Sequence, residues 1–151
     1  MKKFRFNLEK VLNLRQHHEQ EAKIELGKAV GVLAEIENKI KLNAVAHVES
    51  SRQRFSGLTA DEGDSSVFGA FSMFTWNTYI LRLEQEAERL VEAAAQAEIA
   101  VEEKRNLYIE ASRELKVMEK LKEKRSAEHR KEIFAVQTRE LDDLRRAKVW
   151  G

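Results

Sequence analysis

Apolar residues recur along two long stretches of this chain in alternating steps of three and four, and no proline interrupts either stretch. Side chains at this spacing lie on one stripe of a helix. A repeat that averages about 3.5 residues over several heptads is typical of a left-handed coiled coil, because an ordinary surface helix has a wider apolar face. A long helix with one narrow apolar seam cannot fold alone. The sequence therefore predicts paired helices, and a function in binding other proteins rather than in a catalytic pocket.

The predicted seam consists mainly of Leu, Ile, Val and Ala. Its large members are Leu12, Leu26, Leu33, Ile36, Ile40, Leu83, Leu90, Val101, Tyr108, Leu115 and Met118. Charged residues interrupt the repeat at Arg15 and Glu19 in the first stretch and at Lys104 in the second. Frequent alanines favour a close approach of the two backbones. Gly27 and Gly31 are expected to permit the same close approach.

Composition agrees with long helices. Charged residues make up 35% of the 151 residues, and Ala, Glu, Lys, Leu and Arg dominate. Cysteine is absent, which excludes disulfides and fits a cytoplasmic protein. The opening residues lack the apolar run of a signal peptide, and no stretch approaches the roughly twenty apolar residues of a membrane-spanning helix. Any contact with a membrane is therefore expected to be through another protein or along a surface.

A polar connector divides the chain. Residues 56–66 contain Gly57, Gly63 and several Ser, Thr and Asp residues, which favour turns over helix. We expect one coiled-coil domain over residues 1–151, with a first helix over about 5–55, a connector over about 56–66 and a second helix over about 67–148. A cap for the second helix is expected at Asp64, Ser65 or Ser66.

An antiparallel hairpin is the simplest way to bury both seams, because a parallel dimer would need one seam to continue unbroken through both glycines. The fold class is therefore all-α: a long antiparallel two-helix coiled-coil hairpin, monomeric when isolated. Pairing from the connector places Leu8 near residue 125. The second helix is longer than the first, so the hairpin is expected to carry a C-terminal single-helix extension.

Aromatic residues cluster directly after the connector, at Phe68, Phe71, Phe74, Trp76 and Tyr79. Two helices cannot bury so many rings in one seam. Either the phenylalanines fold back as a local cap over the end of the hairpin, or they form an exposed patch for a partner. Both interpretations stay open at this point.

The extension has apolar residues that do not follow the phase of the seam. They are Ile133, Phe134, Val136, Leu141, Leu144 and Trp150. This part is either a fraying amphipathic end or a helix that a partner takes into a groove, with Phe134, Leu141 and Leu144 as the anchors.

No motif for catalysis, a cofactor or a metal was found. His17 and Glu21 are one helical turn apart, but a zinc site needs about three protein ligands and no third is evident. Phosphate-binding loops and nucleophile elbows are also missing. Carboxylates on paired helices lie near Lys and Arg and have no sheltered pocket, so no enzymatic activity is expected.

Charge is segregated along the chain although the formal net charge is only +1. Both ends are basic and an acidic stretch lies between them. A nucleic-acid-binding protein is therefore an alternative from another functional class, with phosphate contacts from Lys122, Lys124, Arg125, Arg130 and Lys131. Glu123, Glu128 and Glu132 lie among these cations and oppose that interpretation, so no nucleic-acid partner is expected.

Two segments carry a family resemblance. Residues 4–15, with the opening Phe4-Arg5-Phe6 before a Leu-rich helix, and residues 107–125 resemble the bacterial flagellar export protein FliJ. The resemblance extends over nearly the whole chain. Near the end, where that family often has Glu-Gln-Lys-Glu-Leu-Asp-Glu, residues 136–143 of this sequence retain Gln137, Glu140, Leu141 and Asp142 but not the first Glu or the Lys.

The resemblance implies an antiparallel coiled coil similar to the stalk subunit of rotary ATPases, without a cofactor. It also implies three partners: the ring of the flagellar export ATPase, the transmembrane export gate protein and substrate chaperones. The implied location is the cytoplasm, at the inner membrane under the flagellum, with membrane contact only through the gate. The stalk of a virulence type III secretion system is the alternative in the same class. The candidate partner-binding residues are Phe4, Phe6, Phe68, Phe71, Trp76, Arg125, Arg130, Phe134, Gln137, Leu141 and Leu144.

Overall fold

The computed structural model describes residues 3–60 and 66–150, with the side chains of residues 3–57 and 69–150. It contains two helices, α1 over Glu9–Ala60 and α2 over Ser66–Trp150. The helices have 52 and 85 residues and pack against each other. The predicted fold class, an all-α helical hairpin, is confirmed.

Helix α1 begins later than the predicted start near residue 5. Residues 3–6 are not helical, Asn7 and Leu8 form a turn, and the amide of Glu9 donates a hydrogen bond to the carbonyl of Phe6 at 3.1 Å. Phe6 is buried in this conformation. The Glu9 carboxylate stands in the first turn, where the partial positive charge of the helix dipole stabilises it.

Helix α1 also continues further than predicted. It runs through Gly57, which the sequence analysis assigned to the connector, and its described part ends at Ala60. A single glycine costs a helix about 1 kcal/mol relative to alanine, which a long helix tolerates. The expected caps Asp64 and Ser65 lie outside the described residues, and α2 begins at Ser66.

The helix pair divides into two compact units, which are described separately. The terminal unit contains α1 up to Ile24, the residues before it, and α2 from Asn106 onward. Here Glu9 pairs with Lys122 at 3.0 Å, and Arg15 pairs with Glu114. Residue numbers rise along α1 as they fall along α2, so the helices are antiparallel in this unit, and Leu8 lies close to its predicted position near residue 125.

The connector unit contains α1 from Glu25 and α2 up to Arg105. Its core consists of Ile80, Leu83, Ala97 and Val101, all buried. Cross-helix hydrogen bonds join Asn43 to Leu83 and Arg54 to Asn77, at 3.1 and 2.8 Å. The order of these pairs is again antiparallel.

The expectation that Gly27 and Gly31 permit close backbone approach is wrong. Both residues are exposed, and a Cβ atom added to either would have no other atom within 4 Å. The three-four repeat places Leu26 and Ala29 toward α2 and thereby turns the two glycines outward. Their small size therefore has no packing role in the described structure.

Candidate partner-binding surfaces

The predicted seam residues lie where α1 and α2 meet. In the terminal unit Leu12 is buried, and in the connector unit Leu83 and Val101 are buried. The others are half-buried: Leu26, Leu33, Ile36, Ile40, Leu90, Tyr108, Leu115 and Met118. Arg15, a charged interruption of the repeat, is also half-buried and is neutralised across the helix pair by Glu114. The seam is therefore occupied within the chain and leaves other surfaces for partners.

The repeat continues after Ile40 with polar residues, which the search for apolar residues missed. Asn43 and Ser50 are buried, and His47 and Arg54 are half-buried. The three-four spacing of these positions was the signal that could have found them. Each has a hydrogen-bonding partner: the Ser50 hydroxyl donates to the carbonyl of Ala46, and the imidazole of His47 lies 3.3 Å from the Glu84 carboxylate.

The last part of α2, residues 134–150, is exposed at every position and is called the free segment below. Ile133, just before it, is the last residue with partial cover. Phe134 has 70% of its surface exposed, and Leu141 and Leu144 are exposed to a similar degree. An isolated phenylalanine at the surface is ordinary, but several large apolar side chains on one uncovered helix make this segment a candidate binding surface.

Four residues of the free segment, three of them large and apolar, share one face. Phe134, Gln137, Leu141 and Leu144 follow each other in steps of three, four and three, so they form a continuous stripe. Leu141 and Leu144 line a shallow groove together with Arg145, Ala147 and Lys148. Val136 and Trp150 point away from this stripe. The stripe therefore exposes aromatic and aliphatic side chains, and the basic side chains of Arg145 and Lys148 lie beside it.

The residues before α1 pack onto α2. Phe6 is only 7% exposed, and the guanidinium carbon of Arg125 lies 6.0 Å from the centre of its ring. The half-buried ring of Phe4 contacts the ring of His129, with 5.6 Å between centroids. These distances are typical of cation–π and tilted ring contacts. The sequence predicted partner contacts at Phe4, Phe6 and Arg125. In the structure these three side chains instead make contacts within the chain.

Arg130 is exposed and lies on α2 shortly before the free segment. Within the described residues its side chain forms no ion pair and no contact with an aromatic ring. It adds a positive charge next to the apolar stripe.

The aromatic residues after the connector form a second exposed surface. Phe71 and Phe74 are 68% and 69% exposed, whereas Trp76 is half-buried and packs edge-on against Tyr79 at 6.2 Å. We call these four residues the aromatic surface. The side chain of Phe68 lies outside the described residues. Exposure of both phenylalanines favours the interpretation of a patch over that of a local cap.

A groove runs beside the aromatic surface, between α1 and α2 of the connector unit. Trp76, Thr75 and Tyr79 line one side, and the other side is lined by Ala46, Glu49, Ser50 and Gln53. The groove therefore has an aromatic wall and a polar wall. It has the chemistry to hold an amphipathic segment of a partner.

Two histidines of the described residues, His17 and His47, lie beside carboxylates. His17 lies 2.9 Å from Glu21, and within residues 3–60 and 66–150 no three side chains suited to metal binding come together. Neither helix, in the part described, has a segment long and apolar enough to cross a bilayer.

Comparison with known proteins identifies the family. The family model described as Flagellar FliJ protein matches residues 4–150, nearly the whole chain. Comparisons with curated proteins and with solved structures found no match. The match includes both exposed surfaces and the coiled-coil seam, and the family is non-catalytic. The chain thus belongs to the FliJ family and is a coiled-coil component related to flagellar protein export.

Proposed function

We propose that this protein is the stalk-like partner of the flagellar export ATPase, and that its free segment binds the ATPase ring. The observation that carries the proposal is the uncovered stripe of Phe134, Leu141 and Leu144 at the end of a helix that otherwise packs on α1. Family membership provides the flagellar context and favours it over a virulence secretion system. By holding several subunits of the ring around one helix, the protein would promote ring assembly and ATP hydrolysis.

The chemistry of the free segment suits recognition of a helix in a groove. Large aromatic and aliphatic side chains supply most of the binding energy at such contacts. Arg139, Arg145 and Arg146 alternate with Glu140 and Asp142 along the same segment. Mixed charge of this kind mainly orients the partner and raises the association rate.

The aromatic surface serves a second partner in this proposal. Phe71 and Phe74 are exposed in the connector unit, which contains none of the residues of the free segment. Two separate surfaces are what a linking protein needs, because one partner then does not displace the other. We assign the aromatic surface to the export gate protein or to a substrate chaperone, which would hold the protein on the cytoplasmic side of the membrane at the flagellar base.

The contacts of the basic residues argue against nucleic-acid binding. Lys122 is paired with Glu9, and the guanidinium of Arg125 lies over Phe6. Both side chains are thus engaged within the chain, and the Glu9 carboxylate lowers the local positive potential that phosphate binding would use.

The test uses the full chain and the export ATPase of the same organism. Phe134→Asp with Leu141→Asp should leave helicity nearly unchanged, because both side chains are exposed, but should weaken ATPase binding and stimulation by about tenfold or more. In a Trp76→Phe background, Trp150 is the only tryptophan and its fluorescence reports binding at the free segment.

The matched control is Val91→Asp with Val117→Asp, two exposed apolar residues of α2 outside both proposed surfaces. This control should stimulate the ATPase as the unaltered protein does. Equal loss in both variants, or full stimulation by the Phe134 and Leu141 variant, would show that the free segment is not the ATPase contact.

A further inference from the structure

Residues 3–8 cover the face of α2 that lies just before the free segment. Phe6 is buried against the region of Arg125, and Phe4 contacts His129. Beyond them Ile133 is half-covered, and the exposed positions begin at residue 134. Residues 3–8, which precede α1, therefore lie beside the last covered part of α2.

Residues 3–8 are attached to the helix pair by fewer backbone hydrogen bonds than the helices themselves have. Residues 3–6 have no regular secondary structure, and the hydrogen bond from the Glu9 amide to the Phe6 carbonyl joins them to the start of α1. On α2 the Phe6 ring lies near the guanidinium of Arg125, and the Phe4 ring contacts the ring of His129. Phe6 is buried, but a short segment outside the helices that has few backbone hydrogen bonds can open locally without unfolding of the whole protein.

Opening would change the surface offered to a partner. The covered face includes His129 and Ile133, which precede Phe134 on the same helix. Once Phe4 and Phe6 leave, the uncovered part of α2 becomes longer by about two helical turns. A partner that takes the free segment into a groove would gain this extra length only when residues 3–8 are displaced.

We propose that residues 3–8 form a reversible latch on α2 that competes with the partner of the free segment. In the closed state the latch limits the partner to residues 134–150, and in the open state the partner also reaches the face around His129. The regulatory part of this inference rests on the proposed function, whereas opening of the latch is a property of the isolated chain.

A cross-link can lock the latch, because the chain contains no cysteine of its own. Phe4→Cys with His129→Cys replaces two side chains in contact, and mass spectrometry under non-reducing conditions verifies the disulfide. The same protein is then compared oxidised, with the latch closed, and reduced, with the latch free. We expect the reduced form to bind the export ATPase at least threefold more tightly. Equal affinities, or tighter binding by the oxidised form, would overturn the competition.

Hydrogen exchange of the isolated protein tests the latch without the ATPase. Amides of residues 125–133 should exchange at least tenfold faster in the reduced form, while amides of residues 107–115 stay unchanged. Phe6→Ala should give the same local increase, and Val117→Ala, an exposed site on the same helix, should not.

The two measurements separate the latch from the proposed function. If neither redox form binds the ATPase, the assignment of the free segment to that partner fails, and exchange alone decides the latch. Equal exchange at residues 125–133 in both forms, or an increase throughout the terminal unit on Phe6→Ala, would show that residues 3–8 are a fixed part of the fold.

Discussion

The side-chain amide of Asn43 donates a hydrogen bond of 3.1 Å to the main-chain carbonyl of Leu83 on the opposite helix. Both residues are buried in the connector unit. A slip of one helix along the other would leave the Asn43 amide buried without an acceptor, which costs about 1–3 kcal/mol. This bond therefore specifies the register of the two helices.

Asn43→Leu should raise the free energy of unfolding by about 1 kcal/mol, because a buried aliphatic side chain replaces a polar one. The variant should also pair its helices in more than one register, since a buried Asn fixes the register of coiled coils at a cost in stability. Urea denaturation followed by circular dichroism measures the stability, and light scattering detects any new oligomer. Asn38→Leu, at an exposed position of the same helix, is the control and should change little. A less stable Asn43→Leu protein would mean that the hydrogen bond is worth more than the packing gained.

The pair of Arg15 and Glu114 should contribute little to stability. Their side chains are 36% and 42% exposed, so solvent screens the interaction, and coupling energies of about 0.2–1 kcal/mol are typical for such pairs. A double-mutant cycle with Arg15→Ala and Glu114→Ala measures the coupling, and 1 M salt should reduce it. Coupling above about 2 kcal/mol that persists in high salt would indicate a desolvated pair.

The seam of α1 should not tolerate charge. Leu33→Asp with Ile36→Asp places two carboxylates against α2 and should cost about 2 kcal/mol or more at each site, with a large drop in the melting temperature. Val30→Asp with Val32→Asp is the matched control, because these neighbours are exposed. If both variants melt at the temperature of the unaltered protein, Leu33 and Ile36 do not stabilise the helix pair.

Alanine at Gly27 and Gly31 should stabilise the protein by about 0.5–1 kcal/mol per site, because nothing occupies the space of the new methyl group and glycine disfavours helix. Gly57→Ala, with the same open surroundings, should give less because it lies close to the end of α1. Chemical denaturation of the three single variants provides the values. Destabilisation at Gly27 or Gly31 would reveal a close neighbour in solution.

The architecture of the hairpin could be predicted from the sequence because helix pairing depends on a spacing that can be counted. Apolar residues such as Leu12 and Leu83 define the repeat, and both are buried. Because only apolar residues were accepted as members of the repeat, the predicted seam of α1 ended at Ile40. Asn43 and Ser50 were missed because a polar residue on the seam cannot be distinguished from a surface residue until its hydrogen-bonding partner on the other helix is known.

The surfaces were less predictable than the seam. Phe6 is buried near Arg125, which is far away in the sequence, and no local pattern brings the two residues together. Propensity placed Gly57 outside α1, whereas in the structure the helix continues through it, because a long helix tolerates a single unfavourable residue. The exposed free segment could be anticipated, because α2 was predicted to be longer than α1.

The polar positions of the connector unit have a mechanical consequence. Asn43, Ser50 and Arg54 lie at seam positions where a coiled coil usually has aliphatic side chains. Separating the two helices there exposes less apolar surface to water. A machine that pulls or twists this protein would thus separate the helices at that stretch before the neighbouring one around Ala97 and Val101, and the two helices could pair again afterward.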